Sequence, residues 1–326
     1  MSAFLPNLIA LVLLLGITAY STAGGVDFGA GIWDLLAGNS PTGRRARHLI
    51  DQSMAPVWEV NNVWLVLSIV VCWTGFPPLF ESIFANLYAL FAVALVGLIL
   101  RGAFFAFRHV AEDPRTHRAA DLVFGISSIL TPFFFAASLG AIASGRLSEP
   151  FNLMALAFGA VSVAATAFSG AAFLVGDARR VGDMEMTEYF RRRAVVAAVV
   201  LIAAGTAALG MIGLQKPDLL RAMLTGPGLP FALVTMVATP LVAFLLWRRL
   251  YRLYRLLTVG AVGSMVFAWA FAQSPFLIPG ELTIAQAIAP FATQVLLVAV
   301  TVALVVVIGP ALALLIYLDQ RTKLVE

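Results

Sequence analysis

Two carboxylates and two guanidinium groups repeat one spacing in this chain. Asp27 and Asp34 are seven residues apart, and so are Arg101 and Arg108. In a helix, seven residues bring side chains back to one face about 10 Å further along the axis. All four lie in or at the ends of long apolar stretches, where an ionised group is costly and marks a counter-charge or a proton path. Carboxylates in such places can carry protons. A buried guanidinium seeks a carboxylate or a propionate-like anion. Glu59 and Asn62, three apart and so on one face, add a third acidic position, with Trp58 and Trp64 around it. The tryptophans can equally be interface-belt aromatics.

Depth separates these residues. Asp27, Glu59 and Arg101 sit where snorkelling is least available and are read as functional. Asp34 and Arg108, nearer the inner end, are expected to snorkel to the interface, and Glu81 reads as interfacial. The later apolar stretches carry no charge in their interiors, so a proton or ion path through this chain has to use its first third.

Other chemistries find no residues. The three histidines, His48, His109 and His117, lie between apolar stretches or at their ends, so no bis-histidine haem can be held within the spans. The single cysteine, Cys72, gives neither a disulfide framework nor a thiolate metal site. Met154, Met211, Met236 and Met265 read as packing. No phosphate loop, zinc spacing or Ser/His/Asp set occurs, and the chain alone has no visible means of redox catalysis.

The elements that hold these residues are membrane spans. The chain is 61% hydrophobic and 12% charged. Four stretches, between Asp121 and Arg146, Glu149 and Asp177, Arg221 and Arg248, and Arg255 and Glu281, have no charge over 24 to 27 residues, more than the roughly 20 needed to cross the hydrocarbon. The pattern predicts an all-α integral membrane protein, one polytopic domain over 1–326, with nine spans near 5–37, 57–76, 79–107, 120–144, 152–176, 194–214, 228–247, 256–275 and 286–318. Of 21 Lys and Arg, 17 fall on one set of alternate gaps and an eighteenth, Arg101, near the inner end of the third span. Basic flanks stay inside, so the N-terminus is expected outside and the C-terminus inside. The net charge of +4 belongs to these inner loops and suits anionic lipid, with no call for nucleic acid. A signal peptide is not expected at 4–23, because no Lys or Arg precedes Arg44. Gly24, Gly25, Gly29 and Gly31 leave one side of the first span smooth for close helix approach.

Five segments in register resemble a known family. They are Gly24-Gly25-Val26-Asp27-Phe28-Gly29-Ala30-Gly31-Ile32-Trp33-Asp34, then Ala55-Pro56-Val57-Trp58-Glu59-Val60-Asn61-Asn62-Val63-Trp64-Leu65, Trp73-Thr74-Gly75-Phe76-Pro77-Pro78, Leu100-Arg101-Gly102 through Arg108, and Gln273-Ser274-Pro275 with the closing Gly309-Pro310-Ala311. Together they resemble subunit II of cytochrome bd-type quinol oxidases. The resemblance implies two four-helix bundles plus one helix in the bacterial plasma membrane, periplasmic at the N-terminus. It implies a haem-bearing subunit I as partner, which holds haems b and d or b-type variants and oxidises quinol to reduce dioxygen. Small single-helix subunits can join that pair. This chain then stabilises its partner without binding haem. Asp27 and Glu59 fall at positions on or near the proposed proton route, Trp64 by a proposed oxygen passage, and Trp58 and Arg101 at interface or charge-compensating positions. Some members have an acidic residue where Ala106 stands, and many have His where Asn62 stands. A stand-alone secondary transporter is the alternative, with a coupling site in the first three spans. A structural scaffold is the third reading.

Overall fold

The computed structural model describes residues 4–110 and 114–322, leaving aside the side chains of 55–60, 109–110, 114–115, 117, 308, 311–313 and 315–322. The chain is almost entirely helical. In order come α1 (Phe4–Leu36), α2 (Pro41–Gly75), α3 (Pro77–Asn86), α4 (Tyr88–Val110), α5 (Pro114–Ser144), α6 (Leu153–Arg180), α7 (Met184–Gln215), α8 (Pro217–Thr225), α9 (Leu229–Trp247), α10 (Tyr254–Gln273), strands β1 (Phe276–Ile278) and β2 (Leu282–Thr283), α11 (Ile284–Ala287) and α12 (Phe291–Thr322).

Local chemistry sets the ends of these helices. The Ser40 side chain accepts the Gly43 N–H ahead of α2, with Pro41 in the first turn, where its missing N–H costs nothing. Asn152 and Asp183 cap α6 and α7 in the same way, accepting from Ala155 and Met186. Pro77 and Pro78 stop α2. A proline lacks the N–H that continuing the ladder needs, and the chain turns by 114° into α3.

Among the described residues, seven helices are long and apolar enough to cross a membrane, and the bent pair 61–75 with α3, taken as one span, makes an eighth. The chain is a multi-pass membrane protein. Each of the nine expected spans is helical, but the count of nine is not reached on length and composition, since the apolar stretch described in α12 covers only Phe291–Val307. The expected third span, 79–107, is two helices. It breaks at the fully buried Leu87, and the crossing helix begins at Tyr88. Phe84 stacks on Phe91 across the break, with ring centroids 4.5 Å apart. Glu81 is therefore an exposed residue of the short α3. Pro290, expected inside a span, precedes α12.

The helices form two groups of four. In the first, α1 packs on α2 and α5, and α4 packs on α5. In the second, α6, α7, α9 and α10 close a ring, each against the next. The groups meet along α6, which packs against both α5 and α1. There Gly29 and Gly170 abut, and a Cβ added at Gly29 would lie 1.9 Å from the Thr166 carbonyl oxygen. Close approach of small residues is what drives such crossings in lipid, where burying apolar area gives no advantage between helices. The ninth long helix, α12, lies against α1 and α2.

Candidate functional site

The four charges spaced by seven meet as two rungs between α4 and α1, over the face of α5. Both rungs join residues 74 apart in the chain, because α1 and α4 run parallel and their registers advance together. Long side chains make the connection alongside α5, which packs on both helices.

The deeper rung is Asp27 with Arg101, which are 3% and 1% exposed. Arg101 Nη1 donates to Asp27 Oδ2 at 3.0 Å and Nη2 to Oδ1 at 2.8 Å, the two-point fork that a guanidinium offers a carboxylate. Nη2 also donates to the Asp27 carbonyl at 3.1 Å, and Nε to Ser128 Oγ at 3.0 Å. The rings of Phe28 and Phe124 lie 4.9 and 5.0 Å from the guanidinium carbon. Ser128 reaches this position because Gly31 has no side chain, and a Cβ there would stand 2.1 Å from Ser128 Oγ. One small residue on α1 thus makes room for the hydroxyl that completes the Arg101 shell.

The second rung lies one heptad towards the Arg-rich face and is looser. Arg108 Nη1 donates to Asp34 Oδ2 at 3.3 Å, and Nη2 to Asp51 Oδ1 on α2. Phe124 serves this guanidinium too, at 4.5 Å, with Phe105 at 4.8 Å on another side. Asp34 Oδ1 and Arg108 Nε are buried without a hydrogen-bond partner. Beyond them Arg47 Nη1 meets Asp121 Oδ2 at 3.4 Å. The Asp51 side chain is 39% exposed, so the chain of ionic groups leads from the buried first rung to solvent.

Here the reading from sequence needs a correction. Asp34 and Arg108 were expected to snorkel, yet they are 1% and 5% exposed and paired with each other. Pairing across helices removes the reason to snorkel, because a partnered charge no longer requires the interface. Ala106 is exposed on α4 and offers no carboxylate. Arg108 takes Asp34 and Asp51 instead.

Of the remaining expected site residues, the side chains of Trp58 and Glu59 lie outside those described. Trp64 is half-buried on α2, and no hydrogen bond or ring contact joins it to the rungs among the described residues. Asn62 is half-buried, whereas Asn61 is 3% exposed with both amide atoms lacking a partner among the described residues. Sequence reading passed over Asn61, Asp51, Ser128 and Phe124. Equal seven-residue steps on two stretches were the available signal for the rungs. Nothing in the sequence pointed to a serine and a phenylalanine on a third helix.

Chemically, the first rung is a saturated pair in which four of five guanidinium donors are used, which suits holding charge fixed. The second has unused polar atoms and an exposed end, which suits water and proton exchange. No group of three or more potential metal ligands occurs among the described residues.

Comparison with known proteins agrees with this architecture. A solved structure of bd oxidase from Geobacillus thermodenitrificans superposes with a TM-score of 0.77 over 97% of this chain and 98% of that one, at 19% identity, a likeness of fold. Cytochrome bd-I ubiquinol oxidase subunit 2 of Escherichia coli (strain K12) is 27% identical over 217 residues, 61% of this chain and 54% of the relative. Cytochrome bd ubiquinol oxidase subunit 2 of Bacillus subtilis (strain 168) is 28% identical over 109 residues, 33% of this chain and 31% of the relative. The match thus spans about half the length of the first of these relatives and less of the second. The family model described as cytochrome bd terminal oxidase subunit II, in contrast, aligns with residues 5–318, and the chain belongs to that family.

Proposed function

We propose that this chain is the haem-free subunit II of a quinol:oxygen oxidoreductase in the bacterial plasma membrane, paired with a haem-bearing subunit I. The observation that carries the reading is the family match over residues 5–318. The carboxylates buried at the two rungs are held by guanidinium groups and are not the imidazole, thiolate, thioether or phenolate that haem iron takes. Haems b and d, or b-type variants, are assigned to the partner, as is quinol oxidation.

Within that complex, the Asp27–Arg101 pair is a fixed electrostatic clamp that ties α4 to α1. Glu59 is the proton carrier. Trp64 borders the oxygen passage, and Trp58 is an interface or charge-compensating position. The N-terminus lies on the periplasmic side and the Arg-rich ends of the helices on the cytoplasmic side, as the basic flanks require. Small single-helix subunits and bound lipid complete the assembly. The family match gives no support to a stand-alone transporter.

The test is to purify the tagged chain from its native membrane in mild detergent. Co-purification with a haem-bearing chain, and quinol-dependent oxygen uptake that disappears on deletion of this chain, are the expected results. A stoichiometric Soret band in this chain purified by itself would sink the reading.

A further inference from the structure

Where α6 ends and α10 begins, a pocket of about 380 Å³ is lined by Gly176, Arg179, Arg180, Tyr251, Tyr254 and Arg255. The arginines are held in place. The Arg179 guanidinium lies 3.8 Å from the Tyr251 ring centre. Arg255 lies flat on α6, its Nη2 donating at 2.6 Å to both the Phe173 carbonyl and Asp177 Oδ1. Gly176 leaves room for it, since a Cβ there would be 2.4 Å from Nη2.

Positive charge in the pocket exceeds negative. Asp177 answers Arg255, while Arg179 and Arg180 have no acidic partner among the described residues. The nearby carboxylates are engaged elsewhere, Asp183 and Glu185 with Arg45, and Glu188 with Arg191, Arg192 and Arg249. The first turn of the 20-residue α10 adds a helix N-terminus with no side-chain cap, preceded by Leu253 in a left-handed conformation at φ 60°.

A second observation points to a ligand. Tyr254 is 5% exposed and lines the pocket, and its hydroxyl makes no close hydrogen bond among the described residues, meeting only the neighbouring Arg255 guanidinium. Buried donors are rarely left unmade, because each forfeits its hydration without return.

We infer that this pocket binds a phosphate group, presented either by an anionic lipid headgroup at the Arg-rich face or by free phosphate in solution. The forked guanidinium groups and the α10 N–H groups match the oxygens of a phosphate, and the Tyr254 hydroxyl, engaged only by the neighbouring Arg255, donates a further hydrogen bond. The inference is independent of the oxidase reading.

The chain is solubilised with whatever assembles with it, stripped of lipid, and titrated separately with dioleoylphosphatidylglycerol and with inorganic phosphate, bound species being counted by native mass spectrometry. Saturable binding of one molecule is expected, weakened at least about tenfold in Arg179→Gln/Arg180→Gln. Tyr254→Phe, which removes only the hydroxyl, should weaken binding several-fold with the fold intact. Displacement of the lipid by millimolar phosphate identifies free phosphate as the ligand, and resistance to it identifies the headgroup. Absence of saturable binding overturns the inference. So does unchanged affinity in the double variant, or in Tyr254→Phe should the double variant fail to accumulate.

Discussion

Arg101 holds Asp27 by a two-point fork at 2.8 and 3.0 Å while also taking the carbonyl of the same residue. The pair joins α1 to α4 beside α5, which packs on both. Its geometry is complete enough that each partner accounts for the other's burial. Removing one leaves a buried charge without its counter-charge.

Arg101→Leu should therefore destabilise the chain by about 3–5 kcal/mol, the usual consequence of orphaning a buried charge. Asp27→Leu combined with Arg101→Leu should recover most of that loss, since two apolar residues make no unmet demand. Thermal inactivation of the purified complex checks this. A double variant no more stable than Arg101→Leu would show that the pair does more than neutralise itself.

The second rung should be more forgiving. Asp34 offers Arg108 one contact at 3.3 Å, and Asp51 stays in place when Asp34 is changed. Asp34→Asn is expected to cost about 1–2 kcal/mol, clearly less than Asp27→Asn. Melting temperatures of the two variants in one detergent decide the order.

Gly29 and Gly25 should respond differently to one added methyl group. A Cβ at Gly29 would overlap the α6 backbone, whereas at Gly25 its nearest neighbour is 3.8 Å away. Gly29→Ala should force α1 from α6 and reduce the amount of assembled protein several-fold, with Gly25→Ala close to wild type. Quantifying membrane-inserted protein for both variants tests this contrast.

Glu59→Gln should slow oxygen uptake at least tenfold while leaving haem content unchanged, if Glu59 carries protons as proposed. Turnover at the normal rate removes Glu59 from the route. A parallel fall in haem content would instead assign it to assembly.

Membrane character, the apolar stretches and their alternating basic flanks were readable from composition alone. A span needs only length and apolarity, and both are local properties. The lack of an imidazole within the spans was readable for the same reason. The bend at Pro77 was visible as a proline pair, but the break at Leu87 was not. Phe84 and Phe91 stack across it, and no proline or glycine marks it in the sequence. The ionic rungs show the division most plainly. Spacing put Asp27 with Asp34 on one face and Arg101 with Arg108 on another, and left each charge with two outcomes, snorkelling or pairing. Only the tertiary structure chose, by setting α1 and α4 parallel beside α5. It also brought in Ser128, Phe124 and Asp51, whose places no sequence period encodes. Burial of a charge depends on what another helix presents to it, and that is decided when the bundle closes.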